Sequence, residues 1–132
     1  MIKQAIIPLA GLGTRLLPLT SVFAKELLPI NGKPAIEYIL DECIEAGIKE
    51  VIFIISQKKK MIKDYFYNDH FYKAIIKKKN DPRIIKEYKK ILKYKKMIKF
   101  VYQNKPKGTG DAVLKTKMYI KNDFFLMLLP DD

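Results

Sequence analysis

The fold is decided by residues 2–15, IKQAIIPLAGLGTR, in which an apolar run passes directly into a loop with two glycines. Ile2–Leu9 has the length and composition of a short buried strand. Gly11 and Gly13 follow at once, and glycines after a strand let backbone N–H groups approach a phosphate, which the cation of Arg15 would neutralise. Taken alone, the same pattern fits a plain turn equally well.

Two common phosphate-binding motifs are excluded by the spacing. The dinucleotide fingerprint G-x-G-x-x-G requires a glycine at position 16, which is Leu16 here. The Walker loop requires G-x-x-x-x-G-K-[ST], but Gly32 and Lys33 are followed by Pro34, and Leu27 stands at the position of the first glycine. Any anion site after the first strand is therefore of another kind.

The rest of the chain alternates between patterns typical of helices and of buried strands. Apolar runs predict further strands at Val51–Ser56, Ile98–Tyr102 and Phe124–Leu129. Helical spacing predicts helices at 34–47, 61–66, 81–92 and about 108–119, while 68–80 is ambiguous. The order βαβαβαβ predicts an α/β fold with a doubly wound, mostly parallel sheet in one domain spanning residues 1–132.

Several side chains are predicted to be structural. The helix that ends at Gly47 has an apolar stripe that would bury Cys43 and an acidic side predicted to face solvent, formed by Glu37, Asp41, Glu42 and Glu45. His70 has no accompanying ligand pattern, so we expect it in a surface loop. The lysine runs 58–60 and 77–79 are predicted to be solvated, and Leu27–Ile30 is predicted to be extended before the turn Asn31-Gly32.

The composition favours a soluble protein of the cytoplasm. Hydrophobic residues make up 48% of the chain, and no apolar run reaches the ~18–20 residues of a membrane span. The N-terminus lacks the features of a signal peptide. The single cysteine, Cys43, excludes an internal disulfide framework.

The net charge of +12 is concentrated in one region. Residues 58–107 hold 18 of the 26 basic residues and only four of the 14 acidic ones. The excess is almost all lysine, whereas phosphate and base readout favour arginine, so we predict a solvated lysine face and no nucleic-acid partner. A polyanion-binding module remains the alternative.

Three further segments extend the pattern of the first loop: LLPLT at 16–20, KELLP at 25–29 and GKP at 32–34. Together with GLGTR at 11–15 they resemble the signature G-x-G-T-R-(L/M)-x-P-x-T…K-x-(L/M)-L-P…K-P of sugar-1-phosphate nucleotidyltransferases. Gln103 with the run 107–110 resembles the base-reading loop of this family, and Leu129-Pro130-Asp131 resembles its metal-binding strand end. Four spaced elements that agree in register make the resemblance very specific.

Within the family, the chain most resembles the bacterial UTP–glucose-1-phosphate uridylyltransferases. KDYF at 63–66 and an inserted helical segment at about 67–97 are similar to theirs. The resemblance implies a Rossmann-like sheet that is incomplete at the C-terminus, because 132 residues correspond to a little under half of a family member. We expect the sugar-binding half to be absent, and complete members to be homo-oligomers.

The resemblance also implies roles for individual residues. Arg15 and Lys25 would be catalytic, the first holding the β and γ phosphates and the second drawing charge from the phosphates at the reacting centre. Asp131 would hold Mg²⁺, which suits a hard oxygen ligand. Nucleotide binding would fall to backbone groups of Leu9, Ala10, Gly11 and Gly13 and to Gln103 and Gly108, which would read the uracil edge.

The implied reaction is an in-line attack by the phosphate oxygen of glucose 1-phosphate on the α-phosphorus of UTP, giving UDP-glucose and pyrophosphate. Two residues depart from the family pattern, Ala24 where proline is frequent and Asp111 where histidine is common in this branch. A non-functional remnant of the enzyme is the other alternative, and it would expose the apolar run 124–129 and aggregate.

Overall fold

A computed structural model describes residues 2–9, 17–103, 109–120 and 125–128 of the 132-residue chain. Within these ranges the chain forms six strands and five α-helices, numbered in chain order. The strands are β1 (Gln4–Pro8), β2 (Pro29–Ile30), β3 (Lys33–Pro34), β4 (Glu50–Ile55), β5 (Ile98–Tyr102) and β6 (Leu126–Met127). The helices are α1 (Ala35–Glu45), α2 (Lys60–Tyr67), α3 (His70–Lys79), α4 (Pro82–Lys95) and α5 (Thr109–Leu114).

The central sheet is parallel throughout and has the order β5-β4-β1-β6. One of its two inner strands, β4, pairs with β1 on one side and with β5 on the other, and Val51–Ile55 are 0% exposed. A strand covered on both faces needs continuous apolar sequence, because no position alternates toward water. The four predicted strands are confirmed, although the described part of the last one, β6, is shorter than the predicted run.

Helices cover both faces of the sheet, as the doubly wound prediction requires. Alternate side chains such as Ile7, Phe53 and Ile55 belong to a large cluster with residues of α1, α2 and α4. The intervening side chains, among them Ile6 and Ile54, belong to a smaller cluster with Ala112 of α5. Burying each such aliphatic or aromatic side chain contributes about 1.5–3 kcal/mol, so the sheet is the main source of stability.

The turn predicted at Asn31-Gly32 joins β2 to β3 in a short antiparallel hairpin. Both turn residues have positive φ, 53° and 78°, which matches a two-residue turn of the hairpin class. The prediction that Leu27–Ile30 is extended was wrong at its first residue. Leu27 closes a 3₁₀ turn by donating its backbone N–H to the carbonyl oxygen of Ala24 at 3.0 Å, and the strand begins only at Pro29.

Helix α1 begins after Pro34 and is followed by Gly47, whose φ is 82°. Cys43 is buried as predicted, and burial raises the pKa of its thiol. The prediction that Glu37 faces solvent was wrong, because Glu37 is 3% exposed. Its carboxylate accepts a hydrogen bond from the Tyr65 hydroxyl at 2.5 Å and pairs with Lys90 Nζ at 3.2 Å, so distant residues replace water.

Most of the ambiguous segment 68–80 forms α3, which packs beside α4 as a helical hairpin, with the rings of Tyr72 and Tyr88 stacked at a centroid distance of 5.5 Å. Asn80 ends α3 in the left-handed conformation with φ 48°, and Asp81 caps α4 by accepting the Arg83 N–H at 2.9 Å. His70 begins α3, so it lies on the surface as predicted but in a helix. No helix in the described ranges is long and apolar enough to cross a membrane.

Candidate nucleotide-binding site

The carboxyl end of β4 organises the candidate site. The backbone N–H of Leu9 donates to the Ile54 carbonyl at 2.8 Å, and that of Gln103 donates to the Ile55 carbonyl at 2.8 Å. Leu9 follows β1 and Gln103 follows β5, so the two residues flank the end of β4 on opposite sides. Ligands of open parallel sheets bind beyond such carboxyl ends. The structure thus brings together two of the residues predicted to bind nucleotide.

Leu9 itself has mainly a structural role. Its side chain is 1% exposed and belongs to the main hydrophobic cluster. Since its N–H is used in the hydrogen bond to Ile54, only its carbonyl group could face a nucleotide from the backbone.

Lys25 lies at the start of the 3₁₀ turn Lys25–Leu27 and is half-buried. The turn is closed by the hydrogen bond from Leu27 and by the Leu28 N–H, which donates to the Lys25 carbonyl at 3.1 Å. Just before it, the Ala24 N–H contacts the Met61 sulfur at 3.1 Å. Met61 belongs to α2, which follows β4, so the segment after β4 also supports this turn.

A buried ion pair joins the Lys25 turn to the same segment. Lys59 Nζ lies 3.0 Å and 2.9 Å from the two carboxylate oxygens of Glu26. The side chains are 9% and 3% exposed, respectively. The prediction that the run 58–60 is solvated was therefore wrong for Lys59, whose charge is compensated by a carboxylate rather than by water. The run 77–79 is exposed as predicted.

Gln103 is 5% exposed, and its side-chain amide is oriented by Asp111. Nε2 of Gln103 donates to the Asp111 carboxylate at 2.8 Å. A carboxylate accepts hydrogen bonds and does not donate them, so this contact fixes the nitrogen end of the amide toward α5. An amide held in one orientation presents a defined donor and acceptor pattern, which a base-reading residue needs.

The remaining predicted site residues lie outside the described part of the chain. They are Ala10, Gly11, Gly13, Arg15, Gly108 and Asp131. Among the residues that the structure describes, no three His, Cys, Asp or Glu side chains are grouped so that they could hold a metal ion.

Three residues beside the predicted site had received no role from the sequence: Glu26, Lys59 and Asp111. Glu26 stands next to Lys25 within KELLP, and this was the available signal for it. Lys59 lies within a lysine run that gives no such signal, and the only signal at Asp111 is its departure from the family pattern.

Comparisons with known proteins identify the family of the chain. The family model described as nucleotidyl transferase matches residues 4–132. The UTP–glucose-1-phosphate uridylyltransferase of Mycoplasma pneumoniae is 43% identical over 131 residues, which are 99% of this chain and 45% of the relative. The enzyme of the same name from Streptococcus pneumoniae is 37% identical over 131 residues, 43% of its length. The chain thus spans a little under half the length of these relatives.

Solved structures give the same result. A UDP-glucose pyrophosphorylase from Acinetobacter baumannii superposes with a TM-score of 0.84 at 37% identity, covering 98% of this chain and 45% of that one. A UDP-glucose pyrophosphorylase complexed with UDP-glucose gives a TM-score of 0.73 at 34% identity, covering 98% and 46%. The family model, the sequence relatives and the parallel sheet lead to one conclusion: the chain belongs to the nucleotidyl transferase family.

Proposed function

We propose that residues 1–132 form the nucleotide-binding part of a UTP–glucose-1-phosphate uridylyltransferase. The observation that carries the proposal is the arrangement around the carboxyl end of β4. Leu9 and Gln103 flank this strand end, and the Lys25 turn contacts Lys59 and Met61, which follow it in the chain. The names of the relatives supply the nucleotide and the sugar phosphate.

In this proposal each residue contributes to binding or to charge neutralisation. Gln103 and Gly108 hydrogen-bond the uracil edge, and backbone groups of Leu9, Ala10, Gly11 and Gly13 cradle the ribose and phosphates. Arg15 holds the β and γ phosphates. Lys25 withdraws charge from the phosphates at the reacting centre, where alignment and electrostatics provide most of the catalysis.

The reaction breaks one bond and forms one. A phosphate oxygen of glucose 1-phosphate attacks the α-phosphorus of UTP, the bond from this phosphorus to the bridging oxygen breaks, and pyrophosphate leaves. Asp131 is the proposed ligand of Mg²⁺, since a carboxylate is the hard donor that this ion prefers. The bound ion supplies positive charge to the triphosphate.

Calorimetry of the purified chain with UTP tests the proposal, with and without magnesium and with dTTP and ATP as competitors for selectivity. We expect selective, magnesium-dependent binding of UTP. Lys25→Ala removes a charge-assisted contact worth about 1.5–3 kcal/mol, so affinity should fall about 10- to 150-fold.

Lys58→Ala is the matched control, because Lys58 is an exposed lysine two residues from α2. It should leave the affinity unchanged. A folded chain that does not bind UTP, or equal losses in the two variants, would contradict the proposal. Release of pyrophosphate in the presence of glucose 1-phosphate measures turnover separately from binding.

A further inference from the structure

The buried pair between Glu26 and Lys59 involves the residue that directly follows Lys25 in the chain. It joins residues 33 positions apart, and both carboxylate oxygens lie within 3.0 Å of Lys59 Nζ. Glu26 is inside the 3₁₀ turn that Lys25 begins, and Lys59 ends the 3₁₀ turn Gln57–Lys59 that follows β4. The pair therefore ties the Lys25 turn directly to the strand end at which Leu9 and Gln103 lie.

Such a pair is a costly way to stabilise a fold. Removing two charges from water costs several kcal/mol for each ion, and their attraction only partly offsets this, so packed apolar side chains of similar volume often serve equally well. What an ion pair provides in addition is a fixed geometry, because the carboxylate and the ammonium must meet at hydrogen-bond distance. A requirement for position rather than for stability explains this pair better.

The turn is also restrained on its other side. The Leu28 carbonyl accepts the Ala35 N–H at 3.1 Å, which attaches the segment after the turn to the start of α1. With the Met61 contact before the turn and the ion pair within it, the backbone of Lys25 is held from three directions. A cation that neutralises developing charge must be held within about 0.5 Å of its working position.

We propose that Glu26 and Lys59 are positioning residues, which anchor the Lys25 turn and thereby set the place of the Lys25 ammonium relative to the nucleotide phosphates. The placement of the Lys25 ammonium relative to the phosphates rests on the proposed function. The anchoring of the Lys25 turn is a property of the free chain and is measurable without any nucleotide.

The central variant is Glu26→Gln with Lys59→Met, which removes both charges and leaves neither one buried alone. Its matched control is Glu50→Gln with Lys99→Met, which removes the pair joined at 3.1 Å at the amino ends of β4 and β5, away from the proposed site. Two measurements apply to both variants: amide hydrogen exchange at Leu27 and Leu28, whose N–H groups close the Lys25 turn, and the Kd for UTP with magnesium.

Loss of anchoring should accelerate exchange at Leu27 and Leu28 by at least about tenfold in the central variant and leave it unchanged in the control. UTP affinity should fall at least about tenfold in the central variant only, at equal thermal stability. In a Lys25→Ala background the same double change should have no further effect on affinity, because the pair acts through Lys25.

The outcomes separate the two proposals. Unchanged exchange at Leu27 and Leu28 overturns anchoring, whatever the nucleotide does. Faster exchange with undiminished UTP affinity, or an equal loss of affinity in the Lys25→Ala background, overturns the role toward the phosphates. If the wild-type chain binds no UTP, the proposed function fails, while the exchange measurement still decides whether the pair anchors the turn.

Should the central variant not fold, Lys59→Arg, which keeps the charge but changes the geometry, is measured in its place and should show faster exchange at Leu27 and Leu28.

Discussion

Strand β4 and the hairpin of α3 and α4 both contain isoleucine and phenylalanine, but the two regions bury these side chains to different degrees. Residues 51–55 of β4 are 0% exposed, whereas α3 has no buried residue and its Phe71 is 74% exposed. Four isoleucines of the hairpin, Ile75, Ile76, Ile84 and Ile85, are only half-buried, although Ile91 near the end of α4 is 3% exposed and belongs to the main core cluster. A groove of about 450 Å³ lies between the two helices, lined by Phe71, Tyr72, Ile75, Arg83, Ile84 and Glu87.

The difference shows where the positive charge of this chain belongs. Lysines are dense in the hairpin because its helices bury one narrow stripe and leave the rest to water, whereas the sheet has no position for an unpaired charge. The candidate site is on the sheet side, at the end of β4. The positive net charge of the chain therefore reflects mainly the lysines on the surface of the hairpin. The absence of a nucleic-acid partner stays a prediction.

The largest difference in stability is expected between two Phe→Ala substitutions, one in strand β4 and one in the hairpin of α3 and α4. Phe53→Ala removes a fully buried ring from the centre of the sheet and should lower the free energy of unfolding by about 3–5 kcal/mol. Phe71→Ala removes an exposed ring and should change it by less than about 0.5 kcal/mol. Urea unfolding followed by circular dichroism measures both. Similar losses would show that the hairpin is as tightly packed as the sheet.

A smaller effect is expected at the contact between the hairpin and α1. The hydroxyl of Tyr94 in α4 donates to the Asp41 carboxylate at 2.6 Å, and Lys33 pairs with the same carboxylate. Burial raises the pKa of Asp41, but the hydrogen bonds from Lys33 and Tyr94 outweigh it and hold the pKa below its usual value of 3.8. Tyr94→Phe should cost about 1 kcal/mol at neutral pH.

The sign of the pH dependence follows from the lowered pKa. Stability from Asp41 is complete above about pH 3.8 and is lost as the pH falls through the lower, folded-state value. The difference between wild type and Tyr94→Phe should therefore shrink in urea titrations below that pH. Tyr38→Phe is the control, because the Tyr38 hydroxyl donates to the Ile30 carbonyl at 2.8 Å, which does not titrate. A pH-independent difference would argue against the role of Asp41.

The smallest effect is expected at the lysine run that ends α3. Changing Lys77, Lys78 and Lys79 together to glutamine removes favourable interactions with the helix terminus and also mutual repulsion, so the free energy of unfolding should change by less than about 0.5 kcal/mol. The measurement is again urea unfolding. A loss above about 1 kcal/mol would indicate that this surface contributes to the fold.

The sequence predicted what depends on local pattern. The four strands and the layered fold follow from apolar runs, and the turn at Asn31-Gly32 follows from residues that accept positive φ. Leu9 and Gln103 end or follow predicted strands, so their places at the carboxyl ends of β1 and β5 were also predictable, while their role toward a nucleotide, implied by the family resemblance, stays a prediction.

The errors at Glu37 and Lys59 concern contacts between residues far apart in the chain. Glu37 and Lys59 were assigned to solvent because a charge on a helix or in a lysine run is normally hydrated. Their partners are 28 to 53 positions away for Glu37 and 33 for Lys59. No periodicity shows such pairs, because they exist only once the sheet has brought the segments together.

The pairing of β6 with β1 also has a consequence for the order in which the chain assembles. Ala5 and Ile6 are in register with Leu126 and Met127, about 120 residues later. During synthesis β1, β4 and β5 can associate once Tyr102 has left the ribosome, but the other edge of β1 stays unpaired until β6 emerges. At roughly 5–20 residues per second, that interval is a few seconds in which a nascent chain has an open strand edge available to neighbours or chaperones.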